Sequence, residues 1–69
     1  MLQTHRFWND AKFTAKQDSM KTGFAWIVQV HPEPGFARGK VGGFQVVVGE
    51  TTEEAPAQYN AEFKNGIEQ

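Results

Sequence analysis

A stretch rich in proline and glycine, residues 31–43, divides the chain and limits its folds more than any other feature. Its sequence is HPEPGFARGKVGG, with two prolines and four glycines. Pro32 and Pro34 have no backbone N–H to donate, so a strand entering this stretch ends near Val30 or His31. The stretch therefore predicts a long irregular loop between two regular segments.

The segments on either side of this loop predict two β-strands. They read GFAWIVQV before it and GGFQVVVGE after it. Alternation separates two faces in each strand, and two strands joined by one loop most simply form an antiparallel hairpin. We expect one face to carry Phe24, Trp26, Val28, Phe44, Val46 and Val48, and the other to keep Ala25, Ile27 and Val47.

The C-terminal segment TTEEAPAQYNAEFKNGIEQ predicts a helix. Thr51 or Thr52 is a suitable N-cap, and the acidic residues Glu53 and Glu54 suit the positive end of a helix dipole. Asn65-Gly66 is typical of a left-handed stop. An apolar stripe at four-residue spacing would pack on one face of the sheet, and consists of Ala55, Tyr59 and Phe63.

The N-terminal segment, residues 4–21, leaves two interpretations open. Asn9-Asp10 suits a two-residue turn between strands at 3–8 and 11–16. Asn9 equally suits the N-cap of a helix that ends before Gly23. That helix would place Ala11 and Ala15 on one face, a poor apolar stripe, so we favour at least one strand near residues 4–16.

Composition supports a sheet over a helix bundle. The chain of 69 residues has one leucine against six valines and six phenylalanines, and no cysteine. Valine and phenylalanine favour pleated, half-buried surfaces, and this length suits one domain. We therefore predict a single small α+β domain over residues 1–69, with a small antiparallel sheet of two to three strands, as a hairpin or meander, and one C-terminal helix packed on one face.

Catalytic and metal-binding patterns are weak. His5 and His31 are far apart in the chain, without thiol or acidic ligands at metal-site spacing. The segment GFARGKVGG has three residues between its first glycine and Gly-Lys, where a phosphate-binding loop has four, and Val41 stands where that loop has Ser or Thr. We expect a protein that is not an enzyme and has no cofactor and no metal.

Apolar runs are too short for a membrane span. The longest, residues 24–30, is far below the roughly 20 residues needed to cross a bilayer. The first 20 residues contain acids and lack the apolar core of a secretory signal. We expect a cytoplasmic protein without membrane contact.

The first functional hypothesis is a small protein-binding regulator or inhibitor. A chain of this size without catalytic motifs is economical for a phage or mobile element, and would occlude a surface of a larger host complex such as an immune effector or RNA polymerase. Contact energy concentrates in aromatic and arginine anchors. We predict partner contacts at Trp8, Phe36, Arg38 and Lys40, and a face for a partner or a homodimer at Ala25, Ile27 and Val47.

The alternative hypothesis is a nucleic-acid-binding module. Residues 1–40 carry six basic and three acidic side chains, whereas residues 41–69 carry one and five. The basic groups are spread out rather than clustered, so we rank nucleic acid below a protein partner. The residues that would contact phosphates are Arg6, Lys12, Lys16, Lys21, Arg38 and Lys40.

Overall fold

The computed structural model describes residues 3–36, 39–50 and 60–68. Within these ranges the chain forms one helix and a five-stranded antiparallel sheet with the strand order β1-β3-β2-β4-β5. The elements in chain order are β1 (Thr4–Phe7), α1 (Trp8–Thr22), β2 (Phe24–Pro32), β3 (Val41–Gly49), β4 (Glu62–Lys64) and β5 (Ile67–Glu68).

The prediction of an α+β fold with an antiparallel sheet is confirmed, and β2 and β3 form the predicted hairpin. The finer description is wrong in two respects. The sheet has more than three strands, and its helix lies between β1 and β2 in the chain instead of at the C-terminus.

The end of the chain is a short hairpin where we expected a helix. Glu62–Lys64 pairs with β2, and Ile67–Glu68 pairs back on Glu62–Lys64. Asn65 and Gly66 both have positive φ, 53° and 81°, which suits the two central residues of a tight hairpin turn. The signal interpreted as a helix stop is thus a strand-to-strand turn. The expected caps and the stripe residues Ala55 and Tyr59 lie outside the described residues.

The favoured strand near residues 4–16 is confirmed, whereas the second strand at 11–16 is wrong, and the helix begins before Asn9, with Phe7 at its N-cap. A strand covers Thr4–Phe7, and a helix of 15 residues covers Trp8–Thr22. Gly23 ends the helix with φ 114°, and its N–H donates to the Ser19 carbonyl at 2.9 Å. Glycine suits this position because L-residues rarely adopt that φ.

The core lies between α1 and one face of the sheet. Ala11 and Ala15 of the helix are fully buried, and so are Phe44 and Phe63 of the strands. Alanine side chains let a helix approach the sheet closely, so the large strand residues supply most of the buried apolar area. Helix α1 therefore needs no large apolar stripe to pack here.

The register of the β2–β3 hairpin decides which residues share this core face. Ile27 pairs with Val46 and Trp26 pairs with Val47. We expected Trp26 to share a face with Val46, so the observed pairing is offset by one residue from that expectation. Because successive strand residues point to opposite faces, this offset places Ile27 under the helix.

Ser19 joins the C-terminal hairpin to α1. Its side chain is fully buried, and its hydroxyl donates to the Lys16 carbonyl at 2.9 Å. The same hydroxyl oxygen accepts the backbone N–H of Gly66 at 2.8 Å. The Ser19 hydroxyl thus provides a hydrogen-bond partner for the backbone N–H of Gly66, in the turn between β4 and β5.

Replacing Ser19 by alanine is expected to lower the free energy of unfolding by about 1–3 kcal/mol, since the Gly66 N–H loses its partner. Urea unfolding followed by tryptophan fluorescence measures this loss. Thr22→Ala is the matched control, because the Thr22 hydroxyl also bonds to a helix carbonyl, that of Asp18, but at an exposed position. Equal losses in the two variants would contradict a special role for the Ser19–Gly66 bond.

Candidate functional site

The antiparallel topology gathers three chain segments at one end of the sheet, which we call the loop end. β1 and β2 both finish there, and β3 starts there. Exposed side chains at the loop end come from segments far apart in the sequence, so their proximity depends on the sheet and not on any local motif.

An open groove of about 500 Å³ lies at the loop end. Its residues come from β1, from the end of β2 with the loop after it, and from the start of β3. They are Thr4, His5, Arg6, His31, Glu33, Gly42 and Gly43. β3 lies between β1 and β2 in the sheet, so its two glycines separate the side chains of the flanking strands.

Two irregularities in strand pairing shape this groove. The β1–β3 register shifts between His5 and Phe7, and the β2–β3 register shifts between Gln29 and His31. Bulges of this kind bend a strand and redirect its side chains, and they are frequent at the margins of sheets and beside functional sites. Both shifts lie at the loop end.

A salt bridge crosses the groove from β1 to the loop after β2. Arg6 Nε donates to Glu33 Oε1 at 2.9 Å, and Nη2 donates to Oε2 at 3.3 Å. The hydrogen bond from Arg6 holds the pKa of Glu33 below its ordinary value, and Glu33 in turn raises the pKa of Arg6. Both side chains remain accessible, with 64% and 34% exposure. The pair is therefore in contact with solvent.

Two histidines border the same groove. His31 is exposed, whereas the Nε2 atom of His5 is buried and has no hydrogen-bond partner among the described residues. The groove thus combines the Arg6 guanidinium, the Glu33 carboxylate, the exposed His31 imidazole and the Thr4 hydroxyl. Such a set suits the recognition of a polar or anionic group.

Two exposed aromatic side chains lie at the loop end. Phe7 is 46% exposed, and the Arg6 guanidinium lies 5.2 Å from the centre of its ring. Phe36, in the loop between β2 and β3, is 53% exposed. Lys40 is exposed at the end of that loop, and its carbonyl accepts the N–H of Trp8 at 3.3 Å. The loop end therefore presents both aromatic rings and cations.

Comparison of the chain with family models, with curated proteins and with solved structures gives no match.

The residues predicted to contact a partner differ in their exposure. Phe36 and Lys40 are exposed at the loop end. Trp8 is half-buried, and its ring meets Phe44 edge-on with centres 5.7 Å apart. Arg38 lies outside the described residues. Phe36 and Lys40 are thus the members of this set with accessible side chains in the described part of the chain.

Ala25, Ile27 and Val47, predicted as one uncovered face, do not share a face. Ala25 and Ile27 are fully buried in the core under α1. Val47 is half-buried and lies on the opposite face with its partner Trp26. The one-residue offset of the hairpin register is the physical reason for this separation.

The predicted phosphate-contacting residues occupy several surfaces. Arg6 and Lys40 are at the loop end, while Lys16 and Lys21 are exposed along α1. Lys12 is half-buried on the same helix. The described members of the set therefore do not form one continuous stripe.

Sequence reasoning missed Glu33 and the glycines of the groove, and gave no binding role to either histidine. A weak signal for the groove existed in the sequence, since Gly42 and Gly43 stand near the start of a strand, where side chains would normally pack.

The described residues include no group of three or more histidine or acidic side chains that could hold a metal ion. The helix of the described part of the chain lacks the length and apolar character needed to span a membrane.

Proposed function

We propose that this chain is a small non-enzymatic protein-binding regulator that attaches through the loop end of its sheet and occludes a surface of a larger complex. One observation carries the proposal. Exposed Phe7 and Phe36 lie at the same end as Arg6 and Lys40, beside an open groove.

The composition of this surface supports a protein partner. Binding energy in protein interfaces concentrates in a few aromatic and arginine residues, which exclude water when they are covered. The Arg6 guanidinium lies over the Phe7 ring, 5.2 Å from its centre, a contact that reduces the side-chain freedom the arginine loses on binding. A preorganised arginine beside an accessible ring is a suitable anchor.

Nucleic acid is the weaker candidate for the same surface. Binding to a phosphate backbone requires several cations along one track. At the loop end, Arg6 is paired with Glu33, while Lys16 and Lys21 belong to α1. The test below includes the nucleic-acid outcome.

Phe36→Ala and Phe7→Ala are each expected to weaken partner binding by about tenfold or more, since each removes an exposed ring from the proposed contact. The measurement has two stages. Affinity capture from a lysate, with and without nuclease, first isolates the partner, and titration calorimetry with that purified partner then compares the variants.

Phe13→Ala is the matched control, because Phe13 is 65% exposed and its position on α1 is opposite the buried alanines. It removes the same ring from another surface and should leave affinity unchanged. A loss of affinity in Phe13→Ala alone would show that the partner contacts α1, and would refute the proposed surface. Capture that disappears with nuclease, together with a steep salt dependence, would favour nucleic acid instead.

A further inference from the structure

The salt bridge over the groove suggests the chemistry of the group that binds there. Arg6 belongs to β1 and Glu33 to the loop after β2, and β3 lies between them. Both carboxylate oxygens of Glu33 accept from the same guanidinium. This is the geometry by which arginine recognises a carboxylate from any source, including another protein.

The groove is otherwise lined by groups that favour an anion. Apart from Glu33, its ionisable residues are Arg6, His5 and His31, and the remaining described lining is Thr4 and two glycines. Lys40 is exposed at the same end of the sheet. When Glu33 turns away, the groove therefore presents the Arg6 guanidinium and the exposed His31 side chain without a described carboxylate of its own.

Exchange of one carboxylate for another costs little at this position. The pair is exposed, and exposed ion pairs contribute weakly to stability because water solvates both partners. An incoming carboxylate would restore the same two hydrogen bonds to Arg6. Glu33, on an irregular loop, would become free to enter solvent.

We propose that the groove binds a carboxylate from an acidic segment of the partner protein, and that Glu33 occupies Arg6 as an internal competitor until this segment binds. The inference rests on the proposed function, since it names the chemistry of the partner at the same surface. Charge complementarity selects the occupant: among the described lining residues Arg6 carries the positive charge, and the single carboxylate beside it belongs to a solvent-exposed ion pair.

The test is an NMR titration of the full chain, labelled with ¹⁵N, using a hexaglutamate peptide as the probe. We expect saturable shifts of the Arg6 side-chain Nε–H signal and of the Gly42 and Gly43 amides. Hexaglutamine, with the same length and no charge, should cause none. Arg6→Gln should abolish the saturable shifts of the two glycine amides, and Glu33→Gln should lower the dissociation constant by about two- to fivefold.

Two variants control for net charge. Lys21→Gln is the control for Arg6→Gln, because it removes one positive charge from the far end of α1. Glu62→Gln is the control for Glu33→Gln, because it removes one negative charge from β4. Both should leave the dissociation constant unchanged. Equal effects of Lys21→Gln and Arg6→Gln would overturn the site in favour of diffuse attraction.

Two further results would also overturn the inference. Unchanged or weaker binding by Glu33→Gln would contradict competition, and equal shifts with inorganic phosphate would make the groove a general anion site. If the titration shows no saturable shifts while a protein is captured in a way that depends on Phe36, this inference is refuted and the proposed function stands. Saturable peptide binding without any captured protein would refute the proposed function, and would leave a carboxylate-binding groove without a protein partner.

Discussion

Replacing Phe44 by alanine is expected to lower the free energy of unfolding by about 3–5 kcal/mol, the usual range for deleting a buried aromatic ring. Phe44 is fully buried in the core under α1, and its ring meets Trp8 edge-on. A domain of this length has a total stability of only about 3–10 kcal/mol. The variant should therefore be partly or wholly unfolded at 25 °C.

Urea unfolding monitored by tryptophan fluorescence measures this effect, because Trp8 contacts the deleted ring directly. Phe13→Ala removes an identical ring that is 65% exposed, and its free energy of unfolding should stay within about 0.5 kcal/mol of the wild-type value. Phe44→Leu should recover much of the loss, since it refills most of the cavity. A Phe44→Ala variant as stable as Phe13→Ala would show that this core is not packed in solution.

The position of Phe44 also shows how far the sequence can be interpreted. Alternation correctly predicts that Phe44 and Val46 share a face of β3, and that Ile27 and Trp26 point to opposite faces of β2. Alternation within each strand does not determine which face of β2 lies on the same side of the sheet as a given face of β3. That choice depends on the loop and on the irregularity after Gln29, and an offset of one residue exchanges the faces.

The helix was difficult to predict for a related reason. Its buried side chains are Ala11, Ala15 and Ser19, none of them large. Of its large apolar residues, Trp8 in the first turn packs against the core, whereas Phe13 and Met20 are exposed. Prediction by apolar periodicity looks for a stripe of large residues and undervalues a stripe of small ones. Here the sheet supplies the bulk, so the helix contributes close contact instead.

The C-terminal prediction failed because one signal has two meanings. Asn-Gly ends helices and also forms two-residue hairpin turns, since both uses require positive φ. The buried Phe63 decides between them in the structure, where it pairs with Ala25 as a strand residue. A helical Phe63 would have supported the same apolar face, so the sequence pattern alone could not distinguish the two.

The groove could not be predicted from the sequence in any detail. Arg6 and Glu33 are separated by 27 positions, and they meet because β3 brings β1 and β2 to the same end of one sheet. Such proximity is a property of strand order, which local patterns do not encode. What the sequence did indicate was the glycine-rich loop itself, whose exposed Phe36 and Lys40 belong to the candidate site.

Gly42 is the position at which this loop end is most sensitive to substitution. Gly42→Ala is expected to lower the free energy of unfolding by about 3 kcal/mol or more. Its φ of 137° is rarely adopted by L-residues, and a Cβ there would overlap the carbonyl oxygen of His31 and lie 2.7 Å from Pro32 Cα. These are backbone atoms of β2, so no side-chain rotation relieves the overlap. The strands would have to separate where they form the groove.

Gly43→Ala is the control, because the two glycines are adjacent and both line the groove. A Cβ at Gly43 would lie 3.4 Å from Val30 Cγ2, an ordinary contact, so stability should change by no more than about 0.5 kcal/mol. Urea midpoints of the two variants test the difference. Equal midpoints would mean that β2 and β3 do not approach each other this closely in solution. A destabilised Gly42→Ala beside an intact Gly43→Ala would show that the close approach of β2 and β3 depends on the missing side chain at Gly42.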